Sequence, residues 1–267
     1  MTGPVATRPL VVGVLNCTPD SFHDGGQHAA VDRAVAHGLR MAAEGADWID
    51  VGGESTRPGA GAVPEAAEVA RVIPVVTELV AALPPAVRVS IDTRKPAVAA
   101  RALAAGATIV NDVTGLRDAE MAAVTADAWG AVVMHMRGEP DTMAGLTDYT
   151  DLVAEVRASL GRSAARARCP QVWLDPGIGF SKTANQSLRL VAHIRELTTL
   201  GWPVLVGASR KSFIGRTLHL PDPADRLAGS LAAVAAAWQG GAHAFRVHDV
   251  AETRQVLDLL CAIRGAA

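Results

Sequence analysis

The chain has 267 residues, a length that suits one large domain, and α/β barrels commonly occupy about 250 residues. Hydrophobic residues make up 49% of it and aromatic residues only 4%, a composition typical of small-residue helices packed on a parallel sheet. The net charge of −2 excludes the strong basic field that nucleic-acid binding requires, and the chain has no acidic tail.

Short apolar runs typical of buried strands alternate with helical patterns along the chain. The predicted strands are Leu10–Leu15, Trp48–Val51, Val87–Ile91, Thr108–Val110, Ala131–Met134, Val172–Leu174, Pro203–Val206 and Ala244–Val247. The predicted helices are Val31–Glu44, Pro64–Ala82, Pro96–Ala105, Asp118–Ala128, Asp151–Ala167, Asn185–Leu200, Asp222–Trp238 and Glu252–Ile263. Eight such pairs favour an α/β fold with a single (β/α)8 TIM-barrel domain over residues 1–267. A doubly wound open sheet is the alternative, because periodicity does not show closure.

The sequence predicts a soluble, cytoplasmic protein. Residues 1–9 lack the apolar core of a signal peptide. The uncharged stretch 227–245 is interrupted by Gln239-Gly240-Gly241, so we interpret it as a buried helix, a turn and a strand rather than a membrane span. The three cysteines form no C-x-x-C pair, which indicates neither a disulfide framework nor a zinc site and fits a reducing compartment.

Polar and ionisable residues follow the predicted strands at the points where the strands end. They include Asn16, Glu54, Asp92, Asn111, His135, Asp175, Lys211 and His248. The segments that enter the strands, such as residues 104–107, are small and apolar. Barrel enzymes build their active sites at the carboxyl ends of the strands, so this asymmetry favours an enzyme.

The stretch Asp175 to Lys182 reads Asp-Pro-Gly-Ile-Gly-Phe-Ser-Lys and follows a predicted buried strand. Gly177 and Gly179 can take positive φ angles and let a flat ligand approach the backbone. The spacing does not match a phosphate-binding P-loop. The structural alternative is a helix-capping Asp in an ordinary turn between a strand and a helix.

Asp92, Asn111 and Asp175 each follow a predicted strand, so they can point into one barrel mouth. Two carboxylates and an amide suit a flat heterocycle with several N–H groups and ring nitrogens. Loop anchoring is the structural alternative, and general acid/base catalysis by the paired carboxylates is the chemical one.

A second group of residues has the chemistry of an anion site. Ser209-Arg210-Lys211 opens a helix or a tight turn, where N–H groups, a hydroxyl and two cations can bind an anion; a solvated basic turn is the alternative. Arg246 and His248 lie on one face of the last strand, with a satisfied core histidine as the alternative for His248. Asn16 lies where an anion or a hydrated metal could bind.

Two loops have more than one interpretation. Residues 18–26 are rich in Asp, Ser and Gly and predict a mobile lid around Phe22. The segment Thr56-Arg57-Pro58 fits either a binding loop or a plain turn.

The chain resembles the dihydropteroate synthase family, which acts in folate biosynthesis and is inhibited by sulfonamides. The matching motifs are Asn-x-Thr-Pro-Asp-Ser-Phe-x-Asp-Gly-Gly, Gly-Gly-Glu-Ser-Thr-Arg-Pro-Gly, Ile-Asp-Thr, Asn-Asp-Val, Asp-Pro-Gly-x-Gly-Phe-x-Lys, Ser-Arg-Lys and Arg-Val-His-Asp. Each motif is weak by itself, but all of them in this order, from Leu10 to about Leu260, are highly specific.

The resemblance implies that 6-hydroxymethyl-7,8-dihydropterin pyrophosphate and p-aminobenzoate are the substrates. It implies a pterin site formed by Asp92, Asn111, Met134, Asp175, Phe180 and Lys211. It implies pyrophosphate binding at Asn16, Arg246 and His248, with Mg²⁺ at Asn16, and p-aminobenzoate binding near Thr56, Arg57, Pro58 and Ser209. Catalysis of an SN1-like displacement would then depend on electrostatic stabilisation by Asp92, Lys211, Arg246 and His248.

Two other functions are compatible with a pterin-binding barrel. A corrinoid-dependent methyltetrahydrofolate methyltransferase needs no pyrophosphate site, so Ser209-Arg210-Lys211 and Arg246-x-His248 count against it. A non-catalytic paralogue that only binds pterins is opposed by the intact polar residues of the mouth. Members of the family are typically dimers, so we expect a homodimer with small-molecule substrates and no nucleic-acid or membrane partner.

Overall fold

The computed structural model describes residues 8–17, 26–56 and 61–266. Within these ranges, eight parallel strands form one sheet: β1 (Leu10–Asn16), β2 (Trp48–Gly52), β3 (Arg88–Asp92), β4 (Ile109–Asp112), β5 (Gly130–Met134), β6 (Gln171–Asp175), β7 (Leu205–Val206) and β8 (Ala244–Val247). Each strand predicted from the sequence is confirmed, with its bounds shifted by at most two residues.

Helices connect these strands. In the described ranges they are α1 (Gly26–Ala43), α2 (Glu65–Ala82), α3 (Pro96–Ala104), α4 (Ala119–Val124), α5 (Leu152–Ala164), α6 (Ala184–Ala192), α7 (Ile194–Thr198), α8 (Ser212–Leu218), α9 (Leu227–Gln239) and α10 (Val250–Gly265). The predicted helix Asn185–Leu200 is two helices, because His193, with φ of −108° and ψ of 23°, leaves the helical conformation. Arg210 takes a left-handed φ of 56° just before α8, so the segment Ser209-Arg210-Lys211 contains a tight turn and also leads into a helix.

The strand order β6-β5-β4-β3-β2-β1-β8-β7 places β6 and β7 at the two edges of the sheet. These edges meet through a parallel bridge between Leu174 and Val204, and the Leu174 N–H donates to the Pro203 carbonyl at 2.9 Å. The sheet is therefore a nearly closed cylinder. The predicted (β/α)8 barrel is confirmed, and the open doubly wound sheet is wrong.

The barrel interior has two layers of different chemistry. The lower layer is a cluster of buried apolar side chains: Val12, Trp48, Ile109, Val132, Trp173, Leu205 and Ala244. Because alternate residues of a strand share a face, the residues two positions later also belong to the interior. With Asp92 at the end of β3, we call them the upper layer: Val14, Asp50, Asn111, Met134, Asp175, Gly207 and Arg246. The interior thus changes from apolar to polar toward the carboxyl ends of the strands.

The intervening strand residues point outward and pack against the helices. They belong to the main hydrophobic core, which includes Ile49, Ile91, Val110 and Leu174. Among the helices of the described ranges, none is long and apolar enough to cross a bilayer. The packing of the helices fixes the strands, and the strands fix the positions of the polar side chains at the mouth.

Candidate active site

The upper layer is organised around Asp50, a fully buried carboxylate in the middle of β2. Its Oδ2 accepts hydrogen bonds from Asn111 Nδ2 at 2.9 Å and from Arg246 Nε at 2.6 Å. Its Oδ1 accepts a hydrogen bond from the Ser90 hydroxyl. One carboxylate below the barrel mouth therefore connects side chains of β3, β4 and β8.

Asp92 lies at the end of β3, beside Asn111 of β4. Its Oδ2 accepts a hydrogen bond from Arg246 Nη2 at 2.6 Å, whereas its Oδ1 is buried and has no hydrogen-bond partner among the described residues. Burial raises the pKa of Asp92 to about 7; Arg246 opposes this increase, and neighbouring carboxylates, first that of Asp50, add to it. Buried acceptors are normally satisfied, so Oδ1 is an acceptor available to a water molecule or a ligand at the mouth.

Asp175 lies at the end of β6 and is buried, and its Oδ1 accepts a hydrogen bond from the Gly177 N–H at 2.7 Å. A Cβ atom added to Gly207 would lie 3.7 Å from Asp175 Oδ2 and 3.7 Å from Lys211 Nζ. Lys211 Nζ also donates to the Ile178 carbonyl at 2.5 Å. The missing side chain of Gly207 therefore leaves space between a carboxylate and an ammonium group.

The pKa values of both groups are shifted toward neutral pH. Burial raises the pKa of Asp175, and the ammonium of Lys211 is the main opposing influence. Burial lowers the pKa of Lys211 to about 8; the nearby Asp175 carboxylate opposes this decrease and Arg246 adds to it. Opposite charges with perturbed pKa values at a barrel mouth are typical of functional sites.

The loop between β6 and α6 is supported from within by Lys182. Gly177 and Gly179 have φ angles of 66° and 82°, so the predicted positive values are confirmed. At Gly177 the reason is close packing, since an added Cβ would lie 2.0 Å from the His135 carbonyl oxygen. Lys182 Nζ donates to the Phe180 carbonyl at 2.9 Å and lies 2.9 Å from His135 Nδ1. These contacts hold the loop that places Phe180 near the mouth.

Met134 and Phe180 form part of a small apolar cluster with Val113, Met136 and Met143. Lys211 Nζ lies 4.6 Å from the centroid of the Phe180 ring. An apolar wall beside buried carboxylates is the lining expected for a flat heterocycle that carries polar groups on its edges.

At the end of β8, His248 is bonded to Ser209. Its Nδ1 lies 3.0 Å from Ser209 Oγ, and its backbone N–H donates to the same oxygen at 3.2 Å. The Ser209 hydroxyl therefore holds the imidazole through Nδ1 and the backbone through its N–H. Arg210 forms an ion pair with Asp249, with Nε 3.0 Å from Oδ2. The charge of Arg210 is therefore compensated by Asp249. The sequence alone predicted that Arg210 and Lys211 could both bind an anion.

Comparison with known proteins gives a consistent result. The sequence profile of the family described as pterin binding enzyme matches residues 12–248. Dihydropteroate synthase from Synechocystis is 45% identical, covering 93% of this chain and 88% of that protein, and the Escherichia coli K12 enzyme is 42% identical, covering 97% and 93%. The structure of Xanthomonas albilineans dihydropteroate synthase with 4-aminobenzoic acid has a TM-score of 0.88 and 46% identity, covering 97% of this chain and 94% of that one. The chain belongs to the dihydropteroate synthase family.

The residues that carry the family resemblance are brought together at one end of the barrel. Asp92, Asn111 and Arg246 are linked through the Asp50 carboxylate and the contact between Arg246 and Asp92. Asp175, Lys211 and Phe180 meet at the β6 side of the mouth. Their roles toward a ligand stay predictions, but they occupy one continuous site.

The remaining family positions lie around this site or outside the described residues. Asn16 ends β1 in register with Gly52 and is exposed, and Thr56 follows β2 and is half-buried. Arg57 and Pro58 lie outside the described residues. The predicted lid over residues 18–26 also lies outside them, apart from Gly26, at which α1 begins.

The loop after β2 is anchored by Glu54, which belongs to the family motif Gly-Gly-Glu-Ser-Thr-Arg-Pro-Gly. Its carboxylate accepts hydrogen bonds from the Val63 N–H at 2.9 Å, Arg94 Nε at 2.8 Å and Lys95 Nζ at 2.5 Å. Burial favours a raised pKa for Glu54, but the bonds from Lys95, Arg94 and Val63 outweigh it, so the pKa is lowered. Glu54 therefore joins the two described ends of this loop to the segment that precedes α3.

Asp50 is the residue of this site that reasoning from the sequence missed. The available signal was a single carboxylate inside the apolar run Trp48–Val51, since a buried charge needs partners. Those partners, Ser90, Asn111 and Arg246, are 40, 61 and 196 residues away along the chain. Only the closed barrel brings them together.

Proposed function

We propose that this chain is a dihydropteroate synthase, which joins p-aminobenzoate to 6-hydroxymethyl-7,8-dihydropterin pyrophosphate. The bond between the pterin methylene carbon and a pyrophosphate oxygen breaks, a bond from that carbon to the amine nitrogen forms, and the proton of the amine passes to solvent. The observation that carries the proposal is Asp92 Oδ1, which is buried at the mouth and has no hydrogen-bond partner among the described residues, while Oδ2 of the same carboxylate accepts from the Arg246 guanidinium. Relatives solved with 7,8-dihydropteroate (Xanthomonas albilineans) and with 6HMPPP (Thermus thermophilus) support it.

The polar groups of the upper layer match the edge of a reduced pterin. The Asp175 carboxylate is suited to accept hydrogen bonds from the amino-pyrimidine edge, because a carboxylate offers two oxygens side by side. Asp92 and Asn111 can accept from the remaining N–H groups, and the Lys211 ammonium can donate to the carbonyl side. Phe180 and Met134 would then cover a face of the ring with apolar surface.

The same residues can stabilise the charges that develop as pyrophosphate leaves. Departure of the anion leaves positive charge on the pterin, which the ionised Asp92 can stabilise. Arg246 uses Nε and Nη2 for Asp50 and Asp92, so Nη1 is the nitrogen directed to the departing anion in this proposal. The imidazole of His248 can donate to the same anion. Electrostatic preorganisation of this kind accelerates a displacement without a protein nucleophile.

We also propose that Mg²⁺ binds with the pyrophosphate at Asn16. The described residues contain no group of three or more His, Cys, Asp and Glu side chains that could hold a metal ion by themselves. The exposed amide of Asn16 fits Mg²⁺, which is commonly held by one or two protein oxygens, water and substrate phosphates. When bound, the ion supplies charge neutralisation of the leaving group. Asn16 would orient the pyrophosphate toward Arg246 and His248.

The p-aminobenzoate is proposed to bind near the loop after β2, at Thr56, Arg57 and Pro58. A Yersinia pestis relative has been solved in a sulfonamide drug complex, which supports a site for a p-aminobenzoate analogue in the family. We propose that Ser209 borders the p-aminobenzoate site, and its hydroxyl also positions His248. The amine would attack the pterin methylene from the side of this loop.

We further propose a cytoplasmic homodimer. Helix α10 exposes two large apolar side chains one turn apart, Leu259 at 63% and Ile263 at 59%, a pattern that suits helix pairing. All three cysteines are free thiols, which fits a reducing compartment. Light scattering after size exclusion should give twice the chain mass, and a monomer at all concentrations would contradict this assembly.

The first experiment is pyrophosphate release in the presence of both substrates and Mg²⁺. Wild-type protein should release pyrophosphate only when p-aminobenzoate is present, and Lys211→Ala and Arg246→Ala should each lower the rate about 100- to 1,000-fold. Arg166→Ala, an exposed arginine remote from the mouth, is the matched control and should behave as wild type. Pterin binding without any release would favour the non-catalytic paralogue. Methyl transfer from methyltetrahydrofolate to a corrinoid would favour the methyltransferase.

A further inference from the structure

We propose that Asp50 is a positioning residue that fixes which atoms of Asn111 and Arg246 face the pterin substrate. This inference rests on the proposed synthase function. Asp50 does not reach the mouth itself: it lies two residues before the end of β2, in register with Ser90 of β3 and Val14 of β1. It acts through the side chains that it holds.

The effect on Asn111 follows from its amide group. An amide carries two donors on nitrogen and an acceptor oxygen, and the two ends have almost the same shape. The Asp50 carboxylate is paired with the Arg246 guanidinium and accepts a hydrogen bond from Asn111 Nδ2 at 2.9 Å, so the amide nitrogen faces it. The amide oxygen is then the atom that Asn111 turns to a ligand. A rotated amide would present a donor in its place and would repel an N–H group of the pterin.

The effect on Arg246 follows from the geometry of the guanidinium. Asp50 holds it at Nε and Asp92 holds it at Nη2, each at 2.6 Å, so the plane of the group is fixed by carboxylates on two strands. With only one of these two carboxylates, the guanidinium could rotate about the single contact that remained. The two contacts together direct Nη1 away from both carboxylates.

The partners of Asp50 argue against a role limited to packing. A fully buried charge lowers stability unless it is paired and hydrogen-bonded. An apolar residue between β1 and β3 would fill the site without this desolvation cost. Two of the three bonds that compensate for this burial go to residues of the proposed substrate site, Asn111 and Arg246. The third goes to Ser90, which supplies a matched control on the same carboxylate.

The test compares substitutions around this carboxylate by melting temperature, by calorimetric affinity for the pterin pyrophosphate substrate, and by kcat/KM for pyrophosphate release. Asp50→Ala should lower kcat/KM about 100-fold, the loss expected from a misplacement of about 1 Å at the reacting centre. Ser90→Ala removes the third donor and should change kcat/KM by less than about fivefold, because Ser90 contacts only Oδ1 of Asp50. Asn111 and Arg246, in contrast, are held by Oδ2.

An exchange of the two partners tests orientation directly. Asn111→Asp places two carboxylates in contact and should lose activity strongly. The double variant Asp50→Asn/Asn111→Asp keeps the total charge, relieves the contact between carboxylates and keeps an oxygen facing the substrate. The amide nitrogen that faces position 111 in this variant takes the place of the oxygen that accepts from Arg246 Nε, so the variant restores the pairing with position 111 and loses the contact with Arg246. We expect it to recover at least about tenfold in pterin affinity over Asn111→Asp, as coupled neighbours do. Its kcat/KM should stay low, because Arg246 has lost the acceptor at its Nε.

The outcomes separate the two proposals. A wild-type protein without pyrophosphate release would reject the synthase function itself. An active wild type in which the exchange shows no recovery of pterin affinity, or in which Ser90→Ala loses as much kcat/KM as Asp50→Ala, would reject the role of Asp50. If Asp50→Ala does not fold, the recovery of pterin affinity in the exchange decides the question alone.

Discussion

The lower and upper layers of the barrel interior are built by the same strands, two residues apart, and they have opposite chemistry. Trp48, Ile109 and Trp173 of the lower layer are followed by Asp50, Asn111 and Asp175 of the upper layer. The lower side chains are buried apolar groups that pack only against each other and their neighbours. The upper side chains are equally buried, yet they include charged groups with shifted pKa values and an acceptor without a partner among the described residues.

The difference shows how one fold separates stability from chemistry. The lower layer fixes the radius of the barrel, since close packing resists any change in the distance between strands. The strands of the upper layer are held at that same spacing. Its charged side chains therefore keep their positions without having to stabilise the fold themselves. If this separation is correct, substitutions in the lower layer should change stability, and substitutions in the upper layer should change activity.

The largest expected effect is on the stability of the lower layer. Trp173 packs edge-to-face on Trp48 at 4.6 Å between ring centroids and lies 5.4 Å from Trp129. Trp173→Ala should lower the free energy of unfolding by about 3–5 kcal/mol, because the cavity cannot collapse within a rigid barrel. Denaturant unfolding measures this loss, and Trp173→Phe is the milder control. A loss of kcat/KM in the folded protein at unchanged stability would contradict the separation of the layers.

The next effect is the converse one, in the upper layer. Asp175→Asn should lower kcat/KM about 100- to 1,000-fold, or about 2.7–4 kcal/mol in the barrier, because an amide cannot offer two acceptor oxygens to the pterin edge. The melting temperature should shift by less than about 4 °C, since burial already disfavours the ionised carboxylate. Asp127→Asn, an exposed position in the segment before β5, serves as the control. A variant that loses its fold together with its activity would show that the two layers are not separate.

The smallest effect is a pH dependence confined to the upper layer. The pKa of Asp92 is raised to about 7 and that of Lys211 is lowered to about 8. If catalysis needs the ionised Asp92 and the protonated Lys211, kcat/KM should rise with pH through about 7 and fall above about 8, by up to about tenfold per pH unit. Lys211→Arg should abolish the alkaline decline whatever its rate, because a guanidinium stays charged. An alkaline decline that persists in this variant would assign it to another group.

The fold was largely predictable because its signals are local. Each strand is a short apolar run that ends in polar residues, and those ends are read directly from the sequence. The break at His193 was not predictable, because neither Gly nor Pro marks it between α6 and α7. The closure of the sheet was also beyond the local pattern, since it depends on the single bridge between Leu174 and Val204.

The site was predictable only in part, and for a related reason. Asp92, Asn111 and Asp175 are recognisable in the sequence as polar residues at the ends of apolar runs. The parallel strands of a barrel bring such strand ends together at one mouth. Asp50 gives no such signal, because its partners come from distant strands. The pairing of Arg210 with Asp249 was hidden for the same reason, since β7 and β8 are separated by two helices in the sequence. Residue types show which groups are present, whereas pairing depends on the completed barrel.

The barrel has few backbone hydrogen bonds at the junction between β6 and β7. Strand β7 has only two residues and meets β6 through an isolated bridge, whereas β1 and β2 are paired over five positions. Local opening of the barrel should be easiest between β6 and β7, because the fewest backbone hydrogen bonds must break there. Asp175 lies on the strand before this junction and Lys211 on the segment after it. A pterin that contacts both groups would connect the two sides of this junction. We therefore expect local opening between β6 and β7 to be more frequent without the pterin than with it bound.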